Sequence, residues 1–235
     1  MIEVLVEDPW FLVVNKPIDL LTQAVAGVPS LQSQLIEQLR VSETTPFIGI
    51  PHRLDRMTSG TLVVARNQRA LRRLSEQFAA RSVRKEYLAW VFGDVEDRGN
   101  YSDWIRKIPD IARAEVVPSN MEGARVAELE FQTVDRRRLL SEQPVSLVRV
   151  ALKTGRMHQI RIQFASRGHP ILGDAAYGGE IDFCRQDRET REPMLALHAC
   201  RLEFSHPKNG ERISTLAAPP VCYPWNLPLA ADFLS

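Results

Sequence analysis

Cysteine is scarce in this chain and poorly placed for a structural role. Three are present, Cys184, Cys200 and Cys222, with no C-x-x-C pair. An odd number at wide spacing supplies neither a zinc cage nor a disulfide framework, so reduced, inert thiols are expected. Long apolar runs are missing too. None approaches the roughly 18–20 residues that span a bilayer. The start, Met1 to Asp8, carries no basic segment and no long apolar core, so no signal peptide is read and a cytoplasmic location is expected. Glycine is modest at 12 of 235 residues. It forms no G-x-x-x-x-G-K-[ST], G-x-G-x-x-G or G-x-S-x-G, which leaves nucleotide hydrolysis, dinucleotide chemistry and an α/β-hydrolase serine without their motifs. The five histidines include no i,i+4 pair and no H-E-x-x-H, so neither a zinc hydrolase nor any other metal site is expected.

What is present is a single domain's length, 1–235, with ample residues to bury a core and no repeat, low-complexity tract or linker. Net charge is only +1, yet it is unevenly spread. His52 to Trp90 holds nine Arg/Lys against three acids, and Arg149 to Gly173 holds five Arg/Lys and no acid. Two positive blocks in a near-neutral chain are the footprint of a polyanion site, or two solvated faces that never meet.

Patterning predicts strands at Glu3–Glu7 and Trp10–Val14 joined at Asp8-Pro9. A helix follows, capped by Ser30, with Leu31, Leu35 and Leu39 on one face. A buried strand spans Thr61–Ala65, preceded by a Thr58-Ser59-Gly60 turn. Next comes a helix capped by Asn67, with Leu71, Leu74 and Phe78 as its core stripe and Arg69, Arg72 and Arg73 solvated. Lys85–Phe92, Val126–Val134 and Val145–Leu152 read as strands, with Arg136-Arg137-Arg138 in a turn. Gly93–Gly123 is polar and shows no clear period. Thr154-Gly155 opens a helix of about three turns, closed by Gly168. Ile181–Pro193 reads as a charged loop. Leu202 and Phe204 mark a strand that returns through Asn209-Gly210 to Arg212–Leu216. Many strands with few helices favour an α+β fold.

Two places draw attention chemically. Asp55 stands among His52, Arg53 and Arg56, so it should be ionised; it suits nucleophilic or general-base work, or is half of a salt bridge. Arg156, His158 and Arg161 stand at a helix start suited to phosphate or carboxylate, or form a basic surface helix. Tyr87 either lines a cleft as a stacking platform or sits in the core with its hydroxyl bonded.

Taken together, these stretches resemble one family. His52-Arg53-Leu54-Asp55-x-x-Thr58-Ser59-Gly60 is similar to the signature of RluA-type pseudouridine synthases. In the family's order follow Val14-Asn15-Lys16-Pro17 (before it), Lys85-x-Tyr87, Thr154-Gly155-Arg156-x-His158-Gln159-Ile160-Arg161, Gly168-His169-Pro170-Ile171-Leu172-Gly173-Asp174, and Leu197-His198-Ala199 through Phe204-x-His206-Pro207. Two departures stand out. Asp19 takes the place of the family's glycine after Val-Asn-Lys-Pro, and no histidine follows it. The chain opens on what read as the catalytic domain's first strands, so the small S4 RNA-binding domain that many members carry is not expected.

The resemblance implies a mixed, mainly antiparallel central sheet with flanking helices and loops around an RNA-binding cleft. It also implies isomerisation of uridine to pseudouridine within tRNA or large-subunit rRNA, by base flipping. Asp55 would be the essential carboxylate, Arg161 its ionic partner, and Tyr87 the ring stacked on the target base. Arg53 would fill the vacated space or bind the neighbouring backbone, and Leu197 would pack under the base. His52, Arg156 and His158 would contact substrate. The reaction needs neither cofactor nor nucleotide, and a monomer is expected. A non-catalytic RNA-binding module and a nucleoside or sugar hydrolase are the rival readings. The first has no need of a carboxylate in a phosphate-binding cleft, and the second lacks its second acid.

Overall fold

The computed structural model describes residues 1–42, 44–139, 142–179, 194–222 and 224–225. The expected charged loop at 181–193 and most of the tail lie outside them. In chain order, Glu3–Glu7 (β1), Phe11–Lys16 (β2), Leu31–Gln38 (α1), Ser59–Ala65 (β3), Gln68–Ala79 (α2) and Arg84–Phe92 (β4) come first. Arg98–Lys107 (β5), Ala114–Val116 (β6), Arg125–Arg138 (β7), Pro144–Leu152 (β8) and Gln159–Ala165 (α3) follow. A single 3₁₀ turn at Ala175–Tyr177, then Leu197–Ser205 (β9) and Arg212–Leu216 (β10), complete the described elements. The chain falls into two compact units, one of Met1–Lys85 with His198–Pro220 and one containing Glu86–Leu197. Among the described residues, no helix is long and apolar enough to cross a membrane.

In the first unit, β2 reads Phe-Leu-Val-Val rather than alternating, because both faces are covered: Phe11, Leu12, Val13 and Val14 are all buried. β2 pairs antiparallel with β1 and β3; β3 pairs in parallel with β9, through Ser59↔His198 and Gly60↔Ala199, and β10 adds antiparallel to β9. Phe11, Val13, Val63, Ala65, Leu202 and Phe204 pack with Ala70 and Leu74 of α2 into one apolar cluster. Side chains cap both helices, as Ser30 accepts from Ser33 N–H at 3.1 Å and Asn67 from Ala70 N–H at 2.8 Å. Each cap contributes about 1 kcal/mol. Ser59 and Gly60 already belong to β3 rather than to a turn, since the parallel contact with β9 begins there.

The second unit is an antiparallel sheet in the order β4-β8-β7-β5-β6. The stretch after Gly93 supplies β5 and β6. Its alternation is hidden because Trp104 joins Asn100 and Ser102 on the outer face, while Gly99 and Asp103 share the inner face with Tyr101 and Ile105. Tyr101, Phe131 and Phe164 form an aromatic cluster with centroids 4.8–5.4 Å apart. Arg136–Arg138 lie in β7, not in a turn. A bulge between Thr133 and Asp135 re-aims the strand, and Arg136 bonds Val95 O at 2.6 Å and Asp97 at 2.7 Å. The helix expected to run three turns is short. His158 takes a left-handed conformation (φ 52°), so α3 starts only at Gln159. Gly168 (φ 80°) closes it, with His169 N–H on Phe164 O at 3.0 Å. The α+β architecture and the mixed, mainly antiparallel strand pairing agree with the expectation.

Candidate active site

Asp55 sits half-buried on the loop that leads into β3. Three clasps hold that loop. Thr22 Oγ1 donates to Leu54 O at 2.8 Å and accepts Leu54 N–H at 3.2 Å, and Thr58 N–H returns to Asp55 O at 3.0 Å. The third clasp is Lys16, which is fully buried. Its Nζ donates to Pro17 O, Leu20 O and Arg56 O at 2.8, 2.8 and 3.0 Å. Three acceptors match the three protons of an ammonium. Burial nonetheless brings the Lys16 pKa down to about 7, opposed by the charges of Asp55 and Asp19. Sequence reasoning gave Lys16 no role, although it stands in the quoted Val-Asn-Lys-Pro run.

Asp19 explains one departure noted above. Its backbone is left-handed (φ 54°), the conformation for which glycine is the usual residue. Aspartate is among the side chains that tolerate it, and here Arg56 Nε grips Asp19 Oδ1 at 2.6 Å.

His52 is used inside the first unit. Its ring stacks on Phe78 (4.2 Å, 18°), and Nε2 accepts Val63 N–H at 3.1 Å. Burial, with Lys85 adding to it, pushes its pKa down to about 3, so the imidazole is neutral near pH 7. Arg53, beside it, is exposed.

Ser59 and His198 look like a nucleophile–base pair at 2.9 Å, but Ser59 is 2% and His198 0% exposed. They are structural: the imidazole also meets Ala217 O at 3.1 Å. Burial lowers the His198 pKa to about 4. The unfolded chain takes up this proton near pH 6.5 and the folded one near 4, so stability should fall as pH drops through that window. The expected loss is on the order of 3 kcal/mol at pH 4, with His52 acting in the same direction. Urea titrations at pH 7, 5.5 and 4 check this, and His198→Gln should flatten the dependence.

In the second unit, Arg161 is 9% exposed despite its charge. Its Nε and Nη2 form a two-point fork with Asp174 Oδ2 and Oδ1, both at 2.7 Å. Its Cζ lies 5.1 Å from the Tyr177 ring centroid, and that of Arg113 lies 5.5 Å away. Tyr177 Oη accepts Ala114 N–H at 2.7 Å and lies 2.9 Å from His158 Nδ1. Burial raises the Tyr177 pKa, which keeps the phenol protonated.

His158 and Arg161 are thus brought together on Tyr177, but Arg156 is not. Arg156 Nε donates to Val126 O at 3.0 Å. Its motif neighbours Thr154 and Gln159 are buried and lock onto β7, with Gln159 Nε2 donating to Glu128 O at 3.0 Å and Thr154 Oγ1 to Gln159 Oε1 at 2.7 Å. Tyr87 lies in β4 opposite Val150 and is 9% exposed. Leu197 opens β9 and is 4% exposed. Asp174 and Tyr177 went unassigned in the sequence reading. Asp174 is the last residue of the quoted Gly-His-Pro-Ile-Leu-Gly-Asp segment, so a signal for it was present.

One unit thus offers Asp55 on a clasped loop, and the other a buried arginine braced by a carboxylate.

A family model described as RNA pseudouridylate synthase matches residues 10–166. Ribosomal large subunit pseudouridine synthase C of Haemophilus influenzae is 36% identical over 214 residues, covering 90% of this chain and 63% of that protein. Ribosomal large subunit pseudouridine synthase D of Pseudomonas aeruginosa is 33% identical over 244 residues, covering 99% and 70%. The solved human RNA Pseudouridylate Synthase Domain Containing 1 superposes with a TM-score of 0.75 at 29% identity, covering 94% of this chain and 84% of that one. The chain spans a little under two thirds, 63%, of the Haemophilus relative's length. The chain belongs to the RNA pseudouridylate synthase family.

Proposed function

We propose that this chain isomerises uridine to pseudouridine in RNA, with large-subunit ribosomal RNA the first candidate and tRNA the second. The observation that carries the reading is the family match over residues 10–166, which includes the clasped Asp55 loop, Tyr87 and Arg161. The names of the relatives favour ribosomal RNA.

The chemistry asks for one carboxylate. The N1–C1′ bond breaks, the detached uracil turns in place, C5 bonds to C1′, C5 gives its proton to solvent, and N1 takes one proton up. Atoms and electrons balance without redox change, water or nucleotide. Asp55 either attacks C1′ or takes the C2′ proton to open a glycal route. Arg161 serves as its ionic partner, the role the family resemblance gives it. Tyr87 stacks on the flipped base and stands at the C5 proton, and Leu197 packs beneath the ring. Arg53 fills the gap left in the RNA stack, and Arg156 and His158 contact the substrate's backbone. His52 acts through the loop it anchors. The two units work as one catalytic domain, as a monomer in the cytoplasm.

Incubation with unmodified large-subunit ribosomal RNA and, separately, tRNA transcripts tests the proposal, with pseudouridine mapped on each. Pseudouridine at a few defined positions is the expected result. None in either RNA would overturn it.

A further inference from the structure

Two cations stand together in the first unit, and neither is used by the fold. Arg81 is exposed and Lys85 half-buried. Neither makes a side-chain hydrogen bond or ion pair among the described residues. The groups that bear on Lys85 are themselves bases: Arg81 acts on it directly, and Lys85 in turn bears on His52. Burying an ammonium beside another cation with no acid at hand costs stability, and an incoming anion relieves that cost.

Arg81 adds an independent observation. It follows α2 in a left-handed backbone (φ 58°), with its N–H on Phe78 O at 3.2 Å and Ser82 N–H on Gln77 O at 3.1 Å. This is the helix-closing position where glycine is the usual residue and an L side chain is strained. The chain thus keeps a cation where the backbone favours glycine. Lys85 lies on β4 two residues before Tyr87, so the two side chains leave the strand on the same side. His52, which Lys85 acts on, is three residues before Asp55.

We propose that Arg81 and Lys85 form a phosphate-binding site for the RNA backbone next to the target nucleotide. The inference rests on the RNA-directed reading above and adds to it the residues that grip the strand. Its ligand is a phosphodiester, held by two charges rather than by base contacts, so it tightens binding without regard to sequence.

The test measures binding of unmodified large-subunit ribosomal RNA transcripts across a salt series for wild type, Lys85→Met, Lys85→Arg and Arg81→Gly. Each neutralising change should weaken binding about 5- to 10-fold near 0.1 M salt and lower the slope of log K against log salt by about 1. Lys85→Arg should preserve both. Arg81→Gly should meanwhile raise the melting temperature by about 2–4 °C, because it relieves the left-handed strain. Weaker binding from a more stable protein cannot come from damaged folding. Pseudouridine is measured in the same samples. Unchanged affinity and salt slope in Lys85→Met and Arg81→Gly, with pseudouridine still formed, would overturn the phosphate site alone. Affinity that depends on both residues with no pseudouridine formed would uphold the site and overturn the isomerase reading.

Discussion

Asp55→Asn is expected to abolish pseudouridine formation, lowering turnover by about 10⁴-fold or more. An amide neither attacks C1′ nor accepts the C2′ proton, so the change is fatal on either route. The fold should be spared. The loop is held by Thr22 on Leu54, by Lys16 on Arg56 O, and by Thr58 N–H on the Asp55 carbonyl. None of these hydrogen bonds is made by the Asp55 carboxylate, although its charge favours the protonated Lys16. RNA affinity should therefore stay within a few-fold of wild type, and the thermal transition should remain cooperative. Pseudouridine quantified alongside RNA binding separates the two effects. Turnover near the wild-type rate would remove Asp55 from the chemistry.

Gly60→Ala should have the largest effect on stability. Gly60 lies at φ 117°, where β3 meets β9 in parallel. A Cβ there would stand 2.2 Å from Ala199 O, 2.6 Å from Ala199 N and 2.7 Å from Ala199 C. All three are backbone atoms of a paired strand, so no side chain can swing away. The positive φ adds its own strain. A loss of about 3–5 kcal/mol is expected in urea unfolding, a large share of the roughly 5–15 kcal/mol that holds a domain folded. Gly210→Ala is the control. Its φ is also positive, at 80°, but nothing lies within 4 Å of the added carbon, so it should cost only about 1 kcal/mol. Equal losses at the two sites would show that conformation, not the approach of β9, sets the effect.

Much of the framework was legible because local chemistry and burial agreed. Ser30 and Asn67 cap the helices they were expected to cap, and Gly168 closes α3. Strands β1, β4 and β8 lie within a residue of their expected bounds. Legibility failed where a tertiary contact overrode the local pattern. Ser59 and Gly60 read as a turn, but pairing with β9 draws them into a strand. Arg136–Arg138 read as a turn because a run of charge was taken to mark one, yet these exposed residues continue β7 by pairing with Ser146, Val145 and Pro144 of β8. β5 stayed hidden because Trp104 lies on its outer face while Gly99 and Asp103 share the inner one.

The candidate site divides along the same line. Asp55, Tyr87 and Arg161 were named from motifs, but what surrounds them depends on residues far away in sequence. Asp174 is thirteen positions from Arg161, and Tyr177 reaches back to Ala114. Lys16, buried against three carbonyls, has no periodicity to betray it. His52 was expected to contact substrate. Only the Phe78 stack and the Val63 N–H make it a neutral anchor.

The most direct measurement follows the C5 hydrogen. RNA carrying uridine tritiated at C5 is incubated with wild type and with Asp55→Asn, and tritium in water, pseudouridine in RNA and free uracil are counted together. Wild type should release one tritium per pseudouridine formed and no free uracil, and Asp55→Asn should release no tritium. Free uracil would make the protein a hydrolase, and bound RNA with no release of tritium would make it a binding module; either result contradicts the account.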